Sequence, residues 1–240
     1  MTRCAAAVCA DCPWSVSPDD LLSWLGSRDW SRETRRSWRS GIRAFYAWGV
    51  ATGRCVTDPS LGLPVVSSLP PVPRPAAKSA VRAAVAASDD RVRLMVRLAS
   101  EMGLRRGEVS RVHSEDMVED LLGWTLRVRG KGGRTRMVPV PEGISAALRR
   151  LPDGWAFPGR VEGHLSAGWV GKLVSRALPG AWAMHSLRHR FGTDAYAASG
   201  ADLLAVQQLL GHASPATTQR YVQVPSGVLR RTVEAVSRVA

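Results

Sequence analysis

Six side chains in this chain could between them carry out a metal-free phosphodiester transfer: Arg105, Lys131, His185, Arg188, His212 and Tyr221. Such a transfer requires an attacking oxygen, positive groups facing the two non-bridging oxygens, and a proton for the leaving 5′-oxygen. A phenol can attack phosphorus and hold the phosphoryl group covalently, so the bond energy is kept for rejoining. Guanidinium forks match phosphate oxygens in a plane, which an ammonium does not. Histidine and lysine move protons. Singly these residues say little. A lone tyrosine is usually packing, a turn lysine is usually solvated, and Arg105 with Arg188 could be a surface pair with Glu101 or Glu108.

The local contexts add what the residue types lack. They read GLRRGE from Gly103 to Glu108, RGKGGRTRMVPV ending at Val140, HSLRH from His185 to His189, and LLGHASPATTQRYV from Leu209 to Val222. In that order and spacing they resemble the catalytic half of the tyrosine recombinases, the phage integrase family. The resemblance runs from about residue 15 to 225. It implies that Tyr221, nine residues after His212, is the nucleophile, and that Lys131 protonates the leaving oxygen. It also implies that Arg105 and Arg188 hold the phosphate, that His185 is the base toward Tyr221, and that His212 donates a hydrogen bond to a phosphate oxygen. An acidic residue three positions after the first arginine supports it in this family. Met102 stands where threonine is usual, a departure expected to alter packing and not chemistry. His189 is assigned to structural support, and His113 and His164 have no motif around them.

Composition agrees with a nucleic-acid partner. The chain has 240 residues, 45% hydrophobic and 22% charged, with a formal charge of +13 and a pI near 11.0. That surplus attracts a polyanion before any specific contact forms. Residues 1 to 76 carry nine Lys and Arg against six Asp and Glu, and the remainder 24 against 14, so both parts are basic. No metal or other cofactor is expected. The histidines have no carboxylate cluster beside them, and the C-x4-C-x2-C run of Cys4, Cys9 and Cys12 lacks an evident fourth ligand, with only Cys55 anywhere near. RGKGG lacks the G-x4-G-K-[ST] spacing of a phosphate loop. No apolar run reaches the roughly 18 residues of a membrane span, and the expected location is the cytoplasm of a bacterial host, on DNA.

The elements that must position these residues can also be read. Four prolines in Ser67 to Pro75 preclude a helix and mark a linker. The expected division is a tail over 1–12, a helical core-binding (SAM-like) DNA-binding domain over 13–66, a linker over 67–76 and a catalytic domain over 77–240. The expected fold is mainly α with a small antiparallel β-sheet, the DNA breaking-rejoining enzyme fold. Ser17 caps a helix through Leu25, and Ser31 to Thr52 forms another. In the latter, Trp38, Ile42 and Phe45 make a core stripe, beside a basic stripe of Arg32, Arg36, Arg39 and Arg43. Downstream, helices are predicted over Lys78 to Ala87, Asp90 to Met102 and Arg106 to Val112. Trp124 to Arg129 and Arg134 to Val140 form a hairpin around Lys131. Its arginines, Arg127, Arg129, Arg134 and Arg136, are expected on the DNA backbone together with the basic stripe. Further helices are expected around Ile144 and Leu148, then over Gly168 to Ala177, Leu187 to Ala198, Asp202 to Leu210, Pro215 to Val222 and Ser226 to Val239.

The function expected from this resemblance is site-specific cutting and rejoining of double-stranded DNA at attachment sites, through a 3′-phosphotyrosyl intermediate without metal or ATP. Integration or excision of a phage or mobile element is the first reading. A Xer-like dimer resolvase, a type IB topoisomerase and an inactive DNA-binding regulator of the same fold are the alternatives. The family implies a C-shaped clamp and a homo-tetramer on DNA, with the free protein a monomer, and a directionality or host DNA-bending factor as a further partner. Ser226 to Val239 is the candidate for docking into a neighbouring protomer, or for packing on its own domain.

Overall fold

The computed structural model describes residues 12–67, 73–130, 133–212 and Thr218. Lys131, Tyr221, Cys4, Cys9, much of the proline linker and the helices expected over Pro215 to Val222 and Ser226 to Val239 lie outside the described residues. The chain divides into two compact units, Met1–Pro71 and Val72–Ala240. Among the described residues no helix is long and apolar enough to cross a membrane.

In the first unit, α1 (Pro18–Gly26) opens with a capping box. Ser17 Oγ accepts from Asp20 N at 3.2 Å, and Ser17 N donates to the Asp20 carboxylate at 3.0 Å, which satisfies donors that a helix N-terminus otherwise leaves bare. Ser31 caps α2 (Arg32–Ala51) by accepting from Thr34 N at 3.2 Å. The two helices close over Val16, Leu21, Leu25, Ile42, Tyr46 and Leu63. Trp24, Trp30, Trp38 and Phe45 pack on this core from its edge, half-buried. The stripe expected from Trp38, Ile42 and Phe45 therefore turns slightly, with Ile42 and Tyr46 at its centre.

The second unit is mainly helical with a three-stranded antiparallel sheet. α3 (Lys78–Ala87) and α4 (Asp90–Glu101) precede α5 (Arg106–Val109), which is shorter than expected, and a 3-10 turn (Ser114–Asp116) leads into β1 (Met117–Asp120), β2 (Gly123–Arg129) and β3 (Thr135–Pro139). α6 (Glu142–Arg149), β4 (Pro158–Val161), α7 (Ala167–Ala177), α8 (Met184–Ala198) and α9 (Leu203–Leu210) follow. The strands run in the order β1-β2-β3, with Val128 opposite Arg136 and Arg127 opposite Met137. β1 was not visible in the sequence because its four residues do not alternate. Its turn is fixed instead by Asp120, which accepts from Leu122 N and Thr125 Oγ1.

Burial in this unit follows the two periodicities. α4 contributes Leu94, Met95, Leu98 and Ala99, the sheet contributes Leu126, Val128 and Val138, and Ile144, Phe157, Val170, Val174 and Leu187 complete one continuous core. Met102, the residue in place of the family's threonine, is buried in it. Each fully buried leucine or isoleucine contributes about 1.5–3 kcal/mol relative to exposure. This core packs α4 against α8, and that packing brings Gly103 and Arg188 together.

Candidate active site

Arg105 owes its position to the turn before it. Gly103 has φ +66°, where a side chain would be strained, and a Cβ there would lie 2.8 Å from Phe191 Cε1. The chain thus leaves α4 abruptly and enters α5 with Arg105 at its N-cap. Glu108, three residues on, turns back to accept from Arg105 N at 2.9 Å and from Arg105 Nη1 at 2.8 Å. The alternative ion pair of Arg105 with Glu108 thus exists, but on a buried carboxylate, 5% exposed, and not at the surface. Glu101 is taken by Arg97 instead.

Arg188 lies on the inner face of α8, 1% exposed. Its Nη1 donates to Gly103 O, and its Nη2 donates to Leu210 O at 2.6 Å. Leu210 O stands at the C-terminus of α9, where acceptors lack intrahelical partners and the dipole is negative, and Gly103 O belongs to the turn between α4 and α5. Its Nη1 is also 3.8 Å from Glu108 Oε2. Two guanidinium groups of like charge therefore share one buried carboxylate, the compensation that keeps a buried arginine tolerable.

Burial pushes the Glu108 carboxyl up, but hydrogen bonding and charge from Arg136, the Arg105 backbone N–H and the Arg188 charge outweigh it and hold the carboxyl at about 2.

His212 follows α9, whose C-cap Gly211 sits at φ +63°. That left-handed turn lets His212 N bond Gln207 O at 3.2 Å and returns the chain toward Arg188. Arg188 Nη2 lies 3.0 Å from His212 Nε2, and His212 Nδ1 lies 3.0 Å from Thr218 Oγ1. A guanidinium only donates, so Nε2 is the accepting nitrogen and the ring proton is on Nδ1. Burial, then the charges of Arg188, Arg105 and Arg136, lower its pKa to about 3, so the ring is neutral at physiological pH.

His185 lies one helical turn before Arg188, in the first turn of α8, which begins three residues earlier than expected. It is exposed at the rim, with its ring 4.7 Å from that of His189, edge-on. Desolvation on its inner side, then the charges of Arg188, Arg105 and Arg106, lower its pKa.

Arg105, Glu108, His185 and Arg188 line one cleft of about 1270 Å³, with Arg106, Arg111 and Lys172 beside them, while His212 is buried behind Arg188. Gly130 and Gly133, which flank Lys131 and Gly132 in sequence, line it too. Arg106, Arg111 and Lys172 were not singled out from sequence. Arg106 opens the short helix that Arg105 caps and Arg111 lies in the turn just after it, a closeness in sequence that was an available signal.

The expected backbone-facing arginines separate into groups. Arg127, Arg129 and Arg134 are exposed, with Arg129 Nη2 bonded to Asp116 at 2.9 Å. Arg136 departs from the expectation. It points inward on β3, in the parity of the buried Val138 and Val140, and both its Nη atoms bond Glu108 at 2.9 Å while Nε bonds Leu209 O at 2.8 Å. In the first unit, Arg32 and Arg36 are exposed, the latter paired with Glu33. Arg39 gives two hydrogen bonds to Leu63 O, and Arg43 gives one to Leu61 O, so part of the basic stripe ties down the chain after α2. His113 caps the 3-10 turn and His164 is buried with Nδ1 donating to Leu165 O, both flanking Trp155. Among the described residues no group of three or more His, Cys, Asp or Glu is placed to hold a metal.

Two guanidinium forks, two histidines and a basic cleft form a site whose charge suits an anionic substrate. Comparison with known proteins makes the class specific. The profile of the Phage integrase family matches residues 77–226. Tyrosine recombinase XerD of Caulobacter vibrioides is 32% identical over 237 residues, covering 88% of this chain and 77% of that protein. An integrase from mycobacterium phage Brujita superimposes with a TM-score of 0.54 at 27% identity, covering 95% of this chain and 87% of that one. A lambda integrase (75-356) dimer bound to a COC′ core site shares the fold, with a TM-score of 0.72 at 19% identity over 92% of this chain and 84% of that one. The chain belongs to the phage integrase family. Its enzyme class is the tyrosine recombinases, whose activity is site-specific recombination of DNA.

Proposed function

We propose that this protein cuts and rejoins duplex DNA at specific sites through a 3′-phosphotyrosyl intermediate on Tyr221, and that it integrates or excises a phage or mobile element. The observation that carries this reading is the single basic cleft shared by Arg105, His185, Arg188 and the two glycines flanking Lys131.

In the proposed reaction, Tyr221 Oη attacks phosphorus and gives its proton to His185. The bond from phosphorus to the 5′-oxygen breaks, and Lys131 protonates that oxygen. Arg105 and Arg188 hold the non-bridging oxygens as charge grows on them. His212 turns from acceptor to donor: an anion entering between it and Arg188 competes for the guanidinium and favours a proton on Nε2. Rejoining reverses the step with a 5′-hydroxyl as nucleophile. Because the phosphotyrosine preserves the bond, no ATP is needed. Because guanidinium groups supply the charge at phosphorus, activity is expected in EDTA.

The partners we infer are duplex attachment sites bound by four protomers, with Arg32, Arg36, Arg127, Arg129 and Arg134 on the DNA backbone. The identity to XerD over most of its length supports a second reading, resolution of chromosome or plasmid dimers. Recombination assays on two separate sites against two sites in one circle discriminate these. The founding test incubates the protein in EDTA with nicked duplexes whose cores are randomised, and looks for a covalent adduct on a denaturing gel. An adduct that is absent with Tyr221→Phe is the expected result. Adduct formation that persists in that variant, or that requires Mg²⁺, would overturn the mechanism.

A further inference from the structure

We propose that Arg136 is a positioning residue that ties β3, the strand that follows Lys131 in sequence, to the carboxylate shared by the phosphate-binding arginines, and that the proton-transfer step depends on this tie. The inference rests on the reading of Lys131 as the proton donor. Arg136 stands five residues after Lys131 in sequence, one residue into β3. Its three N–H groups reach three acceptors on two other elements: both carboxylate oxygens of Glu108, beside Arg105, and Leu209 O in the last turn of α9. Its side chain is 12% exposed, which leaves little of it to meet DNA. Gly211 is part of the same arrangement, because a Cβ there would lie 2.8 Å from Arg136 Cδ. The guanidinium thus passes over a helix end that only glycine leaves open.

Arg136 differs from the other arginines of the hairpin in what it fixes. Arg127 and Arg129 lie on the opposite face of the sheet, and Arg129 reaches Asp116 in the turn before β1. Arg136 alone among the hairpin arginines connects to Glu108, the carboxylate that also takes Arg105 N and Arg105 Nη1. A planar fork matches a carboxylate with two parallel bonds and fixes orientation as well as distance. Lysine in its place would keep a positive charge beside Glu108, so the carboxylate would remain compensated, but it could not hold the bidentate geometry and Leu209 O together. Arg136→Lys therefore separates strand positioning from charge compensation.

The test uses the full-length protein and a nicked duplex selected from a randomised pool by recovery of covalent adducts. It is made with either an ordinary 5′-oxygen or a 5′-bridging sulfur at the scissile position. A thiolate leaves without protonation, so the sulfur substrate bypasses the proton donor. Misplacement of a donor by about 1 Å costs on the order of 100-fold, and Arg136→Lys is expected to slow adduct formation on the oxygen substrate by about that factor. Its non-covalent affinity for the same duplex should stay within about threefold of the wild type. On the sulfur substrate both Arg136→Lys and Lys131→Ala should recover to near the wild-type rate. Recovery of Lys131→Ala without recovery of Arg136→Lys would overturn the positioning role while leaving the proton donor in place. Failure of Lys131→Ala itself to recover would overturn the assignment of Lys131, and the positioning role with it. Should Arg136→Lys not fold, Arg136→Gln, which keeps two donors and loses the charge, is compared on the same two substrates and judged by the same outcomes.

Discussion

Replacing Glu108 by glutamine removes one charge from the centre of the site with almost no change of shape. Glu108 Oε1 accepts from Arg105 Nη1 and Arg136 Nη1, and Oε2 accepts from Arg105 N and Arg136 Nη2. Whichever end carries the amide nitrogen, it faces two donors and loses both bonds. Breaking a buried ion pair by removing one partner costs about 3–5 kcal/mol. The ionisation behaviour gives an independent figure. Glu108 falls from 4.5 to about 2 on folding, and at 1.36 kcal/mol per unit this is about 3 kcal/mol. The carboxyl is depressed in the folded state, so this stability is fully present above pH 4.5 and is lost as pH falls toward 2. Native-state amide exchange in α4 and α8 measures it within the second unit alone. Glu108→Gln is expected to lose about 3 kcal/mol at pH 7 and about 1.5 kcal/mol at pH 3, because the wild type has surrendered somewhat over half of the contribution by then. Other acids titrate in both proteins and cancel in the difference. A deficit of equal size at both pH values would refute the claim that ionised Glu108 holds the arginines.

Three further outcomes follow from the geometry. His212, held neutral with its proton on Nδ1, should show no titration in its ring carbon resonances between pH 5 and 8 in the free protein, and a midpoint near 6.5 would contradict its burial beside Arg188. Since its pKa is lowered on folding, it favours the folded state above pH 6.5 and loses that contribution as pH falls toward 3, so His212→Gln should flatten this part of the acid stability profile. Gly103→Ala should destabilise the second unit by at least about 1–2 kcal/mol through its positive φ, with additional cost from the Phe191 ring, as read by urea denaturation. Arg39→Ala should cost about 1.5–3 kcal/mol from its two bonds to Leu63 O, whereas Arg32→Ala should leave stability within about 0.5 kcal/mol and lower DNA affinity at low salt, a pair of effects separable by denaturation and filter binding.

The residue types, their order and their local contexts were enough to name the family. They also gave most of the elements, because helix caps at Ser17, Ser31 and Asp202 and the alternation of Trp124 to Arg129 are local signals. The inward course of Arg136 was legible as well, since it shares parity with Val138 and Val140, but its charge argued for the surface. α8 began earlier than expected because Ala183 supplies no capping side chain to mark its start. What only the tertiary structure decided is that one carboxylate serves three arginines. Glu108, Arg136 and Arg188 are far apart in sequence, and they meet because apolar packing of α4 on α8 and of β3 beside α9 brings helix-end carbonyls and a buried carboxylate to one point. Uncompensated, three guanidinium groups could not gather there. No local pattern encodes that convergence; it is the low-dielectric core, closing around the site, that requires it.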